Sequence, residues 1–216
     1  MKIIFEFLTD LKANNNREWF QANKSRYDTS KAEHLAFVEG LLKKFETFEP
    51  EISRLEAKDC VFRINRDVRF SLDKSPYKVN FAAYFNRNGK KSWGPGYYLH
   101  LEPGNSFIAG GIWMPESDTL KKIRQEIDYN FESFKKILDK DEFKNTFGGL
   151  KGEKLSRPPK DYKEDNPAIE FLKYKSFELS FPVSDKTCFT TDFDDLAIEK
   201  FKIIKPYNNF LSNALE

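Results

Sequence analysis

The chain has 216 residues, 39% of them hydrophobic and 32% charged, with a formal net charge of +2. That length supports a substantial core in a single domain, and the composition excludes intrinsic disorder. Acidic and basic residues are mixed along the whole length, so no basic domain or tail is available to track a nucleic acid, which disfavours that partner.

No apolar run approaches the ~20 residues needed to cross a bilayer. The apolar patch at the N-terminus is interrupted by Glu6 and Asp10 and is followed by no small-residue cleavage site. Only Cys60 and Cys188 are present, outside any C-x-x-C arrangement, which argues against a disulfide framework and a thiolate metal site. The expected setting is therefore cytoplasmic, with no membrane partner, no metal and no cofactor.

In chain order, residues 3 to 12 predict a short helix, and Asn14, Asn15 and Asn16 a turn with capping chemistry. A second helix is expected from Arg17 to Phe48. Trp19, Phe20, Tyr27, Leu35, Val38, Leu41, Leu42, Phe45 and Phe48 recur there on one face, and Pro50 closes the segment. The Trp19, Phe20 and Tyr27 stripe reads as core rather than as a cofactor box. Cys60 to Phe70 alternates as a strand does, with Phe62, Ile64, Val68 and Phe70 on one face and Arg63, Asn65, Asp67 and Arg69 on the other.

Three further strand-like runs follow with short links, Val79 to Asn86, Gly96 to Pro103 and Ser106 to Met114. Glu102-Pro103-Gly104-Asn105 reads as a tight hairpin turn between the last two. Helices are expected from Pro115 to Tyr129 and from Asn130 to Asp139, then an irregular Gly/Pro segment over 148–164. A short helix near Asn166 to Tyr174, a strand from Ser176 to Val183 and a terminal helix from Asp192 complete the chain, with Pro206 expected to kink or split that helix. The fold class is α+β: one domain over 1–216, with an antiparallel meander of about four to five strands packed with N-terminal and C-terminal helices.

Arginine is scarce, nine residues against 27 lysines, yet Arg63, Arg66 and Arg69 fall within seven positions. A chain whose default cation is lysine places arginine where a planar, forked guanidinium matters. Asp67 lies inside the cluster, and Ser71, Asp73, Lys74, Ser75, Tyr77 and Lys78 follow it. In a strand, Arg63 and Arg69 share a face with Asn65 and Asp67, while Arg66 points to the apolar side and requires a partner. Two readings stand. One is a pocket for a small anion, a phosphate or carboxylate, in which Asp67 or Asp73 orients the cations or serves as a catalytic base. The other is a structural salt-bridge network.

Gly110-Gly111 marks either a β-bulge or a close approach by a ligand or another backbone. His100, without a nearby histidine or carboxylate apparent in the sequence, reads as a satisfied core or surface residue, as does His34.

The segments LKANNNREWFQANKSRYD, RINRDVRFSLDKSPYK, GYYLHLEPGNSFIAGGIWMPESDTLKKIRQEI and LSRPPKDYKEDNPAIEFLKYKSF, in this order and over nearly the whole chain, resemble the family called domain of unknown function 2461. The resemblance implies an α+β bacterial protein with homologues in fungi. It brings no activity, substrate or cofactor with it. Its characteristic positions fall on Arg63, Arg66, Asp67, Arg69, Phe70, Asp73, Lys74, Pro76, Tyr77, Lys78, Gly110, Gly111, Trp113 and Arg124. The chain departs from the family tendency towards three glycines before an aromatic residue, having Ala109-Gly110-Gly111-Ile112-Trp113.

The expected function is binding of a small anionic ligand, with or without turnover, by Arg63, Arg66, Arg69, Lys74, Tyr77, Lys78, Trp113 and Arg124, with Asp67 and Asp73 as the catalytic candidates. The competing expectation is a non-catalytic protein-interaction module. Arg63, Asp67, Arg69 and Lys78 are expected to surround a shared centre, and Arg66 to be buried against an acid or backbone carbonyls.

Overall fold

Periodic apolar residues and capping asparagines set the first helices. In a computed structural model, describing residues 1–87, 89–90 and 94–216, α1 covers Lys2–Ala13, α2 Arg17–Ala22 and α3 Lys24–Phe45. Asn16 caps α2, its side-chain oxygen accepting from the Trp19 amide at 2.9 Å. The single helix expected from Arg17 is interrupted at Asn23, whose side-chain amide donates to the Trp19 carbonyl at 3.0 Å, the local competition with helix bonding that asparagine offers. Pro50 opens a further turn, α4 (Pro50–Ser53), because proline fits the first helical position. A one-turn α5 (Ala57–Cys60) follows.

The strands are β1 (Phe81–Phe85), β2 (Gly96–Leu101), β3 (Ser106–Ile112) and β4 (Phe177–Val183). They form one open antiparallel meander in the order β1-β2-β3-β4. Between β3 and β4 lie α6 (Ser117–Tyr129), α7 (Phe131–Leu138), α8 (Asp141–Phe147) and α9 (Ile169–Leu172). After β4 come α10 (Asp185–Cys188) and α11 (Phe193–Asn213), which continues through Pro206 without ending. The β2–β3 turn is the expected hairpin, closed by the Asn105 amide on the Glu102 carbonyl at 2.9 Å with Gly104 at φ +77°. Among the described residues no helix is long and apolar enough to cross a membrane.

The strand expected over 60–70 does not form. Val61 bridges Ala83 and Asn65 bridges Tyr77, each singly, and Phe62, Arg66 and Lys78 donate backbone bonds to Ala82, Pro76 and Ile64. The result is a loose antiparallel arm that bulges out between residues 66 and 76. Pro76 has no N–H to extend a ladder. The alternation in sequence also has no buried face behind it, since Ile64 is buried while Phe62 and Phe70 are exposed.

The backbone groups into two compact units, each assembled from distant segments: Met1–Lys90 with Tyr98–Ile108 and Pro182–Ile198, and Lys91–Tyr97 with Ala109–Phe181 and Glu199–Glu216. In the first, α3 covers one side of β1, with Phe45 against Phe85 at 5.1 Å and His34 against Phe81 at 5.2 Å. Phe5, Phe7, Leu8 and Leu11 of α1 are buried in the same core. In the second, Phe134 meets Phe171 and Tyr207, and Phe201 meets Tyr97.

Candidate functional site

The arm over residues 61–80 is anchored at its base by apolar and amide contacts. Tyr77 is buried and stacks on Phe20 with ring centroids 3.9 Å apart. Asn15 grips the Tyr77 backbone from both sides, donating to its carbonyl at 2.9 Å and accepting from its amide at 3.1 Å. Tyr77 therefore acts as an anchor for the arm, and Phe20 of the helical stripe is core, while Trp19 and Tyr27 are partly buried.

The bulge is closed by Arg66. Its guanidinium pairs with the Asp73 carboxylate and donates to the Ser75 carbonyl at 3.1 Å and the Ser71 hydroxyl at 3.3 Å. Its side chain is partly buried, so the need for an acid and a carbonyl, anticipated from a strand register that the backbone does not adopt, is met by the bulge itself. Bonds from the Ser75 side chain and amide, then the Arg66 guanidinium, hold the Asp73 carboxyl down at about 2. Lys74 turns back onto the Val68 carbonyl at 3.0 Å.

The remaining charges fall into two sets. Asp67 accepts a forked pair from Arg69, at 2.9 Å from Nε and 2.7 Å from a terminal nitrogen, with both side chains exposed. This contact, followed by the Arg69 amide and the field of Arg63, lowers the Asp67 carboxyl below its usual range. Arg63 and Lys78 form the other set. Among the described residues no carboxylate lies within 4.0 Å of either cation. Lys78 is partly buried, its ammonium 5.3 Å from the centre of the Phe62 ring. Burial, and then the Arg63 charge, lower its pKa. Arg63, Asp67, Arg69 and Lys78 thus do not meet at one hydrogen-bonded centre: one ion pair stands beside two like charges.

Trp113 and Arg124 belong to the second unit. Trp113 is exposed at the end of β3 and is followed by Met114 at φ +42°. Arg124 on α6 donates to the Leu172 carbonyl at 2.8 Å and to the Tyr174 carbonyl at 3.0 Å. It thereby satisfies carbonyls freed where α9 ends. Replacing Arg124 by lysine removes the fork, and the expected cost is about 1–2 kcal/mol in urea unfolding, since one carbonyl loses its donor. A variant as stable as the wild type would show that these bonds contribute nothing.

The space beside Gly110 and Gly111 is filled by the protein itself. A Cβ on Gly110 would meet the Ile204 side chain at 2.4 Å, and one on Gly111 the Phe177 carbonyl oxygen at 2.0 Å. The close approach read from the glycine pair is made by α11 and β4.

One group is not apparent from residue types alone. On alternate positions of β2 and the turn after it, the Tyr98 hydroxyl lies 3.1 Å from His100 Nδ1, and His100 Nε2 lies 3.1 Å from the Glu102 carboxylate. Because an ionised carboxylate only accepts, Nε2 carries the proton and the Tyr98 hydroxyl donates to Nδ1, an assignment made from the network. Burial lowers the His100 pKa, opposed by Glu102. Burial would raise Glu102, but bonds from His100 and Asn105, with the charges of His100 and Lys12, leave it below its usual range. Burial pushes Tyr98 up to about 12. The signal was in the sequence, Tyr-x-His-x-Glu with a period of two, once the strand was assigned. The Phe62 ring lies 6.2 Å from that of Tyr98, beside this chain of groups.

A four-strand antiparallel sheet with helices, carrying an arm braced by the Arg66–Asp73 and Arg69–Asp67 pairs, defines an α+β protein. The chain belongs to the family described as conserved hypothetical protein, DUF2461, which it matches over residues 3–210. No curated protein and no solved structure matches it. Among the described residues no three His, Cys, Asp or Glu side chains are grouped to hold a metal ion.

Proposed function

We propose that the arm binds a small anionic ligand through Arg63 and Lys78, with Arg69, oriented by Asp67, as a further donor. The observation that carries this reading is the Arg63–Lys78 pair: two like charges in each other's field, one of them partly buried, with no carboxylate within 4.0 Å among the described residues. An anion bound between the two would relieve that like-charge proximity. Arg66 and Asp73 brace the loop that presents these cations. Asp73, held at about 2, is too weak a base for proton abstraction near neutral pH, so the reading is one of binding. The competing reading, a protein-interaction module whose arginines are structural, is supported at Arg66. Burial pushes Cys60 to about 12 and Cys188 to about 11, so both stay as unreactive thiols.

Thermal denaturation with phosphate, pyrophosphate and citrate tests the proposal. A ligand at about 100 times its Kd adds about 2.7 kcal/mol, which raises Tm by several degrees in a chain of this size. Arg63→Ala and Lys78→Ala are expected to leave the unliganded Tm within about 2 °C of wild type, or to raise it, and to remove the ligand shift. Retention of the shift in both variants, or unliganded losses of more than about 5 °C, would overturn the reading. Arg69→Ala is a poorer discriminator, because breaking an exposed pair costs only about 0.2–1 kcal/mol on either reading.

A further inference from the structure

The tip of the arm carries an anomaly that anion binding alone does not account for. Phe70 is 96% exposed and Leu72 103% exposed, more than any other large apolar side chain described. Scattered exposed apolar residues are ordinary, but this pair stands at the crest of a loop that its own side chains hold in place. The Arg66–Asp73 pair spans the base of the tip, and Ser71 and Ser75 bond to the same guanidinium. Arg69 lies over the Phe70 ring at 5.8 Å without covering it. Around the tip, residues 61–80 hold five cations against two carboxylates. Both carboxylates are already paired, Asp67 with Arg69 and Asp73 with Arg66.

We propose that this arm docks on an anionic lipid surface, with Phe70 and Leu72 entering the interface and Arg63, Lys74 and Lys78 contacting headgroup phosphates or carboxylates. The inference rests on the anion-binding reading above and names the source of the anion. Two features select a bilayer over an acidic protein. The two apolar side chains are almost wholly exposed, and a protein partner would need a matching pocket for each, whereas a lipid interface accepts an apolar side chain of any outline. The excess positive charge lies on the chain to both sides of the apolar pair, at Arg63 before it and at Lys74 and Lys78 after it, so the arm that carries the apolar pair is also cationic, and each cation near an anionic surface adds to the attraction. Surface docking of this kind requires no helix long enough to cross the membrane.

Co-sedimentation with extruded vesicles tests it directly. At low salt, the full chain is expected to pellet several-fold more with phosphatidylcholine containing about 30% phosphatidylserine than with phosphatidylcholine alone, and to be released as salt screens the charges. Phe70→Ser/Leu72→Ser is expected to lose about tenfold or more in partitioning while keeping the wild-type Tm, because neither side chain contributes to the core. The same double variant should retain the pyrophosphate-induced Tm shift, whereas Arg63→Ala/Lys78→Ala should lose both responses. Equal pelleting with neutral and anionic vesicles, or undiminished vesicle binding by the Phe70/Leu72 variant, overturns the lipid assignment. A pyrophosphate shift without vesicle binding overturns it too and leaves the anion site standing; no response to either probe overturns both. If poly-L-glutamate binds in a Phe70- and Leu72-dependent manner and vesicles do not, the surface is one for an acidic protein.

Discussion

Gly111→Ala is expected to destabilise the protein by at least about 4 kcal/mol, a large part of the 5–15 kcal/mol that holds a typical domain folded. Gly111 sits at φ +99°, where an L side chain is strained, and its Cβ would lie 2.0 Å from the Phe177 carbonyl oxygen. Because the obstructing atom is backbone, relief requires β3 to separate from β4. The same place depends on a second residue. Buried Asn208 of α11 accepts from the Gly111 amide and donates to the Gly96 carbonyl, both at 2.9 Å. Asn208→Ala leaves a buried donor and a buried acceptor unpaired, at about 1–3 kcal/mol each. Urea unfolding of the two variants checks both numbers. A Gly111→Ala protein within about 1 kcal/mol of wild type would mean that the strands separate at little cost.

The elements with strong local signals were legible. The helices at 2–13 and 117–129, the Glu102–Asn105 hairpin and the strand at 177–183 all stand close to where periodicity and turn chemistry put them. Residues 60–70 differ from expectation because their alternation of apolar and charged residues mimics a half-buried strand. What decides the outcome is non-local: whether a partner face covers Phe62 and Phe70, and whether Pro76 lets a ladder continue. Asn23 broke a helix for a reason confined to one side chain, below the reach of an apolar stripe that runs straight through it.

The candidate site is legible in part. The scarcity of arginine points to the segment that forms the arm, but not to the division of labour within it. Arg66 closes the bulge, Arg69 takes Asp67, and among the described residues Arg63 and Lys78 have no carboxylate within 4.0 Å; the difference depends on which residues face each other across the arm. Arg124 shows the limit of residue type as a guide, since its fork is met by two backbone carbonyls that no sequence pattern announces. The carboxylate that pairs with His100 is hidden by the boundary between strand and hairpin turn, although Glu102 lies on the same alternation as Tyr98 and His100.

Stability is expected to fall by about 3 kcal/mol between pH 6.5 and pH 4 through His34 alone. His34 is fully buried in α3, its Nε2 3.4 Å from the Ala82 carbonyl in β1, while Nδ1 has no hydrogen-bond partner among the described residues. The carbonyl holds the proton on Nε2, so a second proton would have to sit on Nδ1, buried and unmatched. Burial therefore pulls the pKa from 6.5 to about 4, despite the opposing bond to Ala82. Between those two values the unfolded chain binds a proton that the folded chain does not. Stability is thus complete above pH 6.5, declines as pH falls towards 4, and levels off for this group below that. His100, lowered by burial as well, adds to the slope in the same direction. His34→Gln keeps a donor for the Ala82 carbonyl and cannot titrate, so the difference in unfolding free energy between pH 7.5 and pH 4 should shrink by about 3 kcal/mol relative to wild type. If the two proteins lose stability in parallel over that range, the buried imidazole is already being protonated in the folded state, and the packing of His34 between α3 and β1 is looser than this argument requires.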